Sequence, residues 1–181
     1  MSIFTKTKQR IRRRKLTRLG VIPSFRKTSK LFGGDHGWVI DESKIKSDSV
    51  VYSVGVGSNI DFDLALINEF NVVIHAFDPT PRSVEWVKNQ SLPDNFKFHP
   101  IGLAAENGTM NFFPPARASS THFSPVKRYD EDDEDLITAP VKNLETIASE
   151  LNHNFIDLLK MDIEGAEYEV IDSLFSNGVS I

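Results

Sequence analysis

Thirteen residues from Phe155 to Glu167, Phe-Ile-Asp-Leu-Leu-Lys-Met-Asp-Ile-Glu-Gly-Ala-Glu, restrict the fold of this chain more than any others. An apolar run of strand length delivers three carboxylates and a glycine where it ends. Tyr168, Val170, Ile171, Leu174 and Phe175 follow at helical spacing. A buried strand that passes through a polar turn into an amphipathic helix is a building unit of an open α/β sheet. Such sheets take their ligands in the crevice beyond the carboxyl ends of the strands. Asp162, Glu164 and Glu167 are costly to bury there without partners, so they either face solvent or meet a cation, a hydroxyl or an amine. Strand alternation puts Lys160 and Asp162 on one face and Met161 and Ile163 on the other. Lys160 reads equally as a salt-bridge partner of these acids and as a catalytic group.

The rest of the chain alternates in the same manner. Val50 to Val54 is a β-branched run that ends in glycines. Leu64, Ala65, Ile67 and Phe70 then form an apolar helix face, with Asp61 and Asp63 in the first turn, where acids suit the helix dipole. Val72 to Phe77 predicts a second strand. Thr80-Pro81 predicts a helix start with a hydroxyl cap, running to about Gln90. Phe96 to Ala104 reads as a third strand, and Asn107-Gly108 as a hairpin turn into Met110 to Phe113. Leu136 to Val141 and a helix capped by Asn143 precede the fourth strand, and Asn177-Gly178 closes its helix. Residues 114 to 135 are irregular: Pro114-Pro115, a polar run from Ser119 to His122, and six consecutive acids from Asp130 to Asp135. The acid run has no glycine and no calcium-loop spacing, so it reads as solvated and no metal site is expected.

Charge divides the chain in two. Residues 1–30 carry eleven Lys and Arg and no acid, whereas the remainder carries ten basic residues against 25 acidic ones. The first part is expected to be a flexible basic extension, and 31–181 a single domain long enough to bury a core. A basic arm also suits an anionic partner such as nucleic acid. Cysteine is absent, which excludes disulfides, thiolate metal sites and cysteine nucleophiles. No apolar run reaches the ~20 residues of a membrane helix, and the N-terminus lacks the apolar stretch of a secretory signal; a cytoplasmic protein is expected.

Lys160-Met161-Asp162-Ile163-Glu164-Gly165-Ala166-Glu167 resembles the signature of FkbM-type methyltransferases, a branch of the class I enzymes that depend on S-adenosylmethionine. Val50 to Gly57 and His75 to Arg82 agree with it in order and spacing, so the resemblance covers about residues 33–181. It implies a Rossmann-like class I methyltransferase sheet with helices on both faces. Such sheets usually have seven strands, and this sequence offers about four core strands and an antiparallel excursion, so the C-terminal strands are expected to be lacking.

The resemblance also assigns a cofactor site. Gly55 and Gly57 let the backbone turn tightly and approach a ligand. Ser53 stands where related enzymes carry an acid for the methionine ammonium, and Asn59 stands where many have a third glycine; Asn tolerates the left-handed conformation that the loop needs there. Asp78 lies 23 residues after Gly55, near the ~20-residue spacing of an acid that binds ribose hydroxyls. Its alternative is an Asx-turn at Asp78-Pro79. Gly102 and Leu103 would flank the adenine ring. Asp162 would contact the methionine portion of the cofactor or orient an acceptor hydroxyl, with Glu164 as a second candidate and His122 as the histidine to test as base. The function this implies is methyl transfer from S-adenosylmethionine to an oxygen of a small metabolite or sugar. An RNA-binding methyltransferase that uses the basic arm, and a non-catalytic binding module, are the alternatives.

Overall fold

The computed structural model describes residues 28–114, 123–125 and 136–177. The basic extension up to residue 27, His122, the acid run and Gly178 lie outside the described residues. Four strands form the central sheet: β3 (Val50–Val54), β4 (Val73–Phe77), β5 (Phe96–His99) and β9 (Leu158–Met161), in the order β5-β4-β3-β9. All three pairings are parallel. The chain moves outward from β3 to β4 and β5, then returns to β9 on the other side of β3. The order therefore reverses between β3 and β9, and at such a point the connections leave a crevice at the carboxyl ends.

Alternation along the strands builds two cores. Val51, Ile74, Ala76 and Phe96 face α1 (Asp61–Phe70) and α2 (Pro81–Lys88), meeting Phe62, Leu66, Ile67 and Val87. Tyr52, Val54 and Phe77 face the opposite way, against Leu144 and Ile147 of α3 (Leu144–Glu150) and Val170 of α4 (Glu167–Asn177). The parallel sheet thus carries helices on both faces. Asn143 caps α3 as expected, its Oδ1 accepting from Thr146 N at 2.8 Å.

Before this core, β1 (Ser29–Phe32) and β2 (Trp38–Asp41) form an antiparallel pair. Lys30 belongs to β1, and its ammonium lies 2.8 Å from Glu69 on α1 and 3.5 Å from Glu42.

The excursion after β5 differs from the sequence expectation in two respects. The expected strand from Phe96 to Ala104 divides into β5 and β6 (Gly102–Leu103), because Pro100 has no N–H for a ladder and the chain turns there, Ile101 N donating to His99 O at 2.8 Å. No hairpin joins β6 to β7 (Gly108–Phe112): β8 (Ile137–Lys142) lies between them, parallel to β6 and antiparallel to β7. Asn107 serves a different end. Its Oδ1 accepts from Asn143 N and its Nδ2 donates to Thr146 Oγ1, which ties the turn to the start of α3. Phe112, Ala139, Val141 and Phe123 form a third small core under this sheet.

Candidate active site

A cleft of about 590 Å³ opens at the carboxyl edge of the central sheet. Its floor is the glycine loop after β3, its sides come from Phe77 to Thr80 after β4 and from Lys160 to Glu164 at the end of β9, and Met110, Phe112 and Phe123 of the second sheet close it from above. Gly55 has φ +84°, and a Cβ there would run into the carbonyl oxygen of Asp162. Glycine is therefore required where the β3 turn passes beneath the β9 turn. Asp162 N donates to Val54 O at 3.0 Å, continuing the ladder and placing the exposed Asp162 side chain at the cleft wall.

Asp78 is 5% exposed and its carboxylate is fully engaged. Oδ2 accepts from Val56 N at 3.1 Å and Gly57 N at 2.9 Å; Oδ1 accepts from Thr80 N at 2.9 Å and Thr80 Oγ1 at 2.6 Å. The Thr80 N contact is the Asx-turn, and the contacts from Val56 and Gly57 pin the glycine loop to the end of β4. A carboxylate has about four acceptor sites, and all are used. Thr80 consequently does not cap α2 with its hydroxyl, although Pro81 occupies the first helical position as expected.

Of the other candidates, Asn59, Gly102 and Leu103 line the cleft and Ser53 does not. Asn59 does not adopt the left-handed conformation; its Oδ1 accepts from Asp61 N at 2.8 Å and so caps the entry to α1. Gly102 is small because Pro79 and Val141 press on it, each 3.0 Å from where a Cβ would sit, and Leu103 is 3% exposed beside it. Ser53 does not reach the cleft wall: alternation turns it inward, fully buried, toward α1.

The signature turn is braced from within. Glu167 Oε1 accepts from Ile163 N and Oε2 from Gly165 N, both at 2.8 Å. Partial burial raises its pKa, but these bonds, with those from its own N–H and that of Glu164, outweigh it and leave the carboxyl below its ordinary value. Glu164 has φ +56°, a strained conformation for a side-chain-bearing residue, and its carbonyl accepts from Ser124 Oγ at 2.9 Å. The strain sits at the cleft, where Glu164 forms part of the wall.

Behind the glycine loop lies a polar group that sequence reasoning missed. Asp63 is 2% exposed and Lys160 9%. The Lys160 ammonium donates to Gly55 O at 2.6 Å and lies 3.3 Å from Val54 O. Burial lowers its pKa, with Asp63, Asp162 and Asp78 acting against the shift. Burial raises that of Asp63, opposed by Ser53 and Lys160. Ser53 lies near enough to affect Asp63, yet the two do not meet in hydrogen-bond geometry: Ser53 Oγ and Asp63 Oδ1 have no partner. Asp63 reads in sequence as a first-turn acid. The signal that places it inward is its spacing with Leu66 and Ile67, which are buried on the same side of α1. Trp38 and Gly37, which reach the cleft from β2 and the turn before it, were also unforeseen.

Among the described residues, no group of three or more His, Asp or Glu is placed to hold a metal ion, and no helix is long and apolar enough to cross a membrane.

A cleft at the switch point of a parallel sheet, beside a glycine loop tied to a strand-end acid, is the position at which open α/β sheets take ligands. The family model described as the methyltransferase FkbM domain matches residues 26–180, and the chain belongs to that family. It is similar to the probable methyltransferase-like protein 24 of Homo sapiens, 25% identical over 130 residues, which are 71% of this chain and 29% of that protein. The chain thus spans less than a third of that relative's length. No solved structure matches.

Proposed function

We propose that this chain is a methyltransferase dependent on S-adenosylmethionine, built on a Rossmann-like class I sheet, and that it methylates an oxygen of a small metabolite or sugar. The observation that carries this reading is the convergence, at the carboxyl edge of β3, β4 and β9, of a glycine loop, the strand-end acid Asp78 and the acids of the signature turn. The residues present suit such a cofactor: Gly55 and Gly57 offer backbone without side chains, and Asp63, which lines the cleft, has a buried Oδ1 with no hydrogen-bond partner. Bound S-adenosylmethionine supplies a methyl group on an already activated sulfonium.

The chain's own residues then have two tasks, to align the acceptor and to take its proton. Gly55, Gly57 and Asp78 hold the nucleoside, with Asp78 exchanging part of its internal bond set for ribose hydroxyls. Gly102 and Leu103 border the base. Asp162 and Glu164 stand where an acceptor hydroxyl would enter, Asp162 as the group that orients it; His122 remains a candidate base. Met110, Phe112 and Phe123 exclude water from above.

S-adenosylhomocysteine at 100 times its dissociation constant is expected to stabilise the fold by about 2.7 kcal/mol, seen as a rise in melting temperature, and NADH to leave it unchanged. Absence of a shift with S-adenosylhomocysteine in a folded sample would remove the cofactor from this account.

A further inference from the structure

We propose that Asp63 is the anionic anchor for the amino group at the amino-acid end of the cofactor, with the Ser53 hydroxyl turning to support its carboxylate once that amino group is bound. This rests on the reading of the cleft as an S-adenosylmethionine site. Three acids, Asp63, Asp78 and Asp162, line the cleft together with the buried Lys160. Asp78 is already bonded at four acceptor sites, and any it exchanges go to the ribose hydroxyls. Asp162 is exposed, and solvent satisfies it. Asp63 alone of the three is a buried carboxylate with an oxygen that nothing satisfies.

Buried polar atoms are rarely left in that condition, and here two of them, Asp63 Oδ1 and Ser53 Oγ, are left so side by side. The nearby cation does not relieve them, because Lys160 donates to the carbonyls of Val54 and Gly55 instead. The vacant acceptor therefore calls for a donor that arrives by way of the cleft, which Asp63 lines. An ammonium meets the need best, since it supplies both the hydrogen bond and the charge that a buried carboxylate lacks. Helix α1 thus brings an acid to the side of Ser53, where the strand itself has none.

The test compares two ligands by calorimetry: S-adenosylhomocysteine, and 5′-methylthioadenosine, which keeps the nucleoside and the thioether but lacks the amino-acid end. Asp63→Asn keeps the shape and removes the charge. It is expected to weaken S-adenosylhomocysteine at least about tenfold and to leave methylthioadenosine within about twofold. Its ligand-free melting temperature is measured alongside, because Asp63 also balances the buried Lys160 ammonium. Equal losses for the two ligands, or no loss for either, would overturn the anchor and leave a bridging water as the partner of Ser53 and Asp63. A wild-type protein that binds neither ligand would defeat the cofactor reading itself, and the anchor with it. If Asp63→Asn does not fold, Ser53→Ala carries the same comparison: a loss of about threefold confined to S-adenosylhomocysteine supports the anchor, and an unchanged ratio rejects it.

Discussion

The central sheet buries polar groups on both of its faces, and the two clusters are built on opposite terms. On the α1 face, at the carboxyl edge, Ser53 and Asp63 have unpartnered atoms and Lys160 is held by two carbonyl oxygens. On the α3 face, Tyr52 OH meets His153 Nδ1 at 2.8 Å and His75 Nδ1 meets His99 Nε2 at 3.1 Å. The rings there pack as well: His99 stacks on His75 at 5.3 Å and on Phe77 at 4.7 Å. None of the three histidines lines the cleft. Satisfied polar groups make a core that specifies itself, whereas unsatisfied ones persist where a ligand completes them. The difference is the ground on which the α1-face cluster is proposed as the ligand site and the histidine cluster is not.

Asp78→Ala tests the cleft side most severely. The substitution removes the acceptor of four hydrogen bonds and strands the buried N–H of Val56, so a stability loss of about 3 kcal/mol in urea denaturation is expected. Affinity for S-adenosylhomocysteine should fall about ten- to a hundred-fold in the molecules that remain folded. Loss of stability with unchanged affinity would confine Asp78 to holding the loop.

Acid titration tests the other side, with a smaller effect. Burial, with His153, His99 and Lys97 nearby, lowers the His75 pKa from 6.5 to about 4; burial also lowers those of His99 and His153. The unfolded chain therefore takes up protons at a higher pH than the folded one. Stability should be intact above pH 6.5 and decline as the pH falls toward 4. Partial exposure of the rings limits the slope to less than about 1 kcal/mol per pH unit. In His75→Phe the decline between pH 6.5 and 5 should be shallower; an identical slope would show that the histidine cluster does not titrate as described.

What was legible in the sequence divides along a similar line. β3, β4 and β9 were evident because each is a short run dominated by apolar residues that ends in glycine or acid, and the Asn143 cap because its chemistry is local. The glycine loop, Asp162 and Glu164 were legible as neighbours at the carboxyl edge, where they line one cleft. Asp63 was not, since a first-turn acid is already explained by the helix dipole, and only contact with β3 and β9 shows that it is buried. The β6-β8-β7 order was equally hidden: Asn107-Gly108 has hairpin chemistry, but the strand that pairs with both neighbours comes about 30 residues later. Trp38 and Phe123 reach the cleft from segments far from it in sequence, and nothing in their own residues announces a ligand.

The most direct measurement is amide hydrogen exchange of the chain with and without S-adenosylhomocysteine. The account predicts slower exchange in the glycine loop from Gly55 to Asn59, around Asp78 to Thr80, at Gly102–Leu103 and in the first turn of α1, with the histidine cluster and α3 unchanged. Protection centred on His75, His99 and His153, or no protection at the carboxyl edge under saturating ligand, would contradict it.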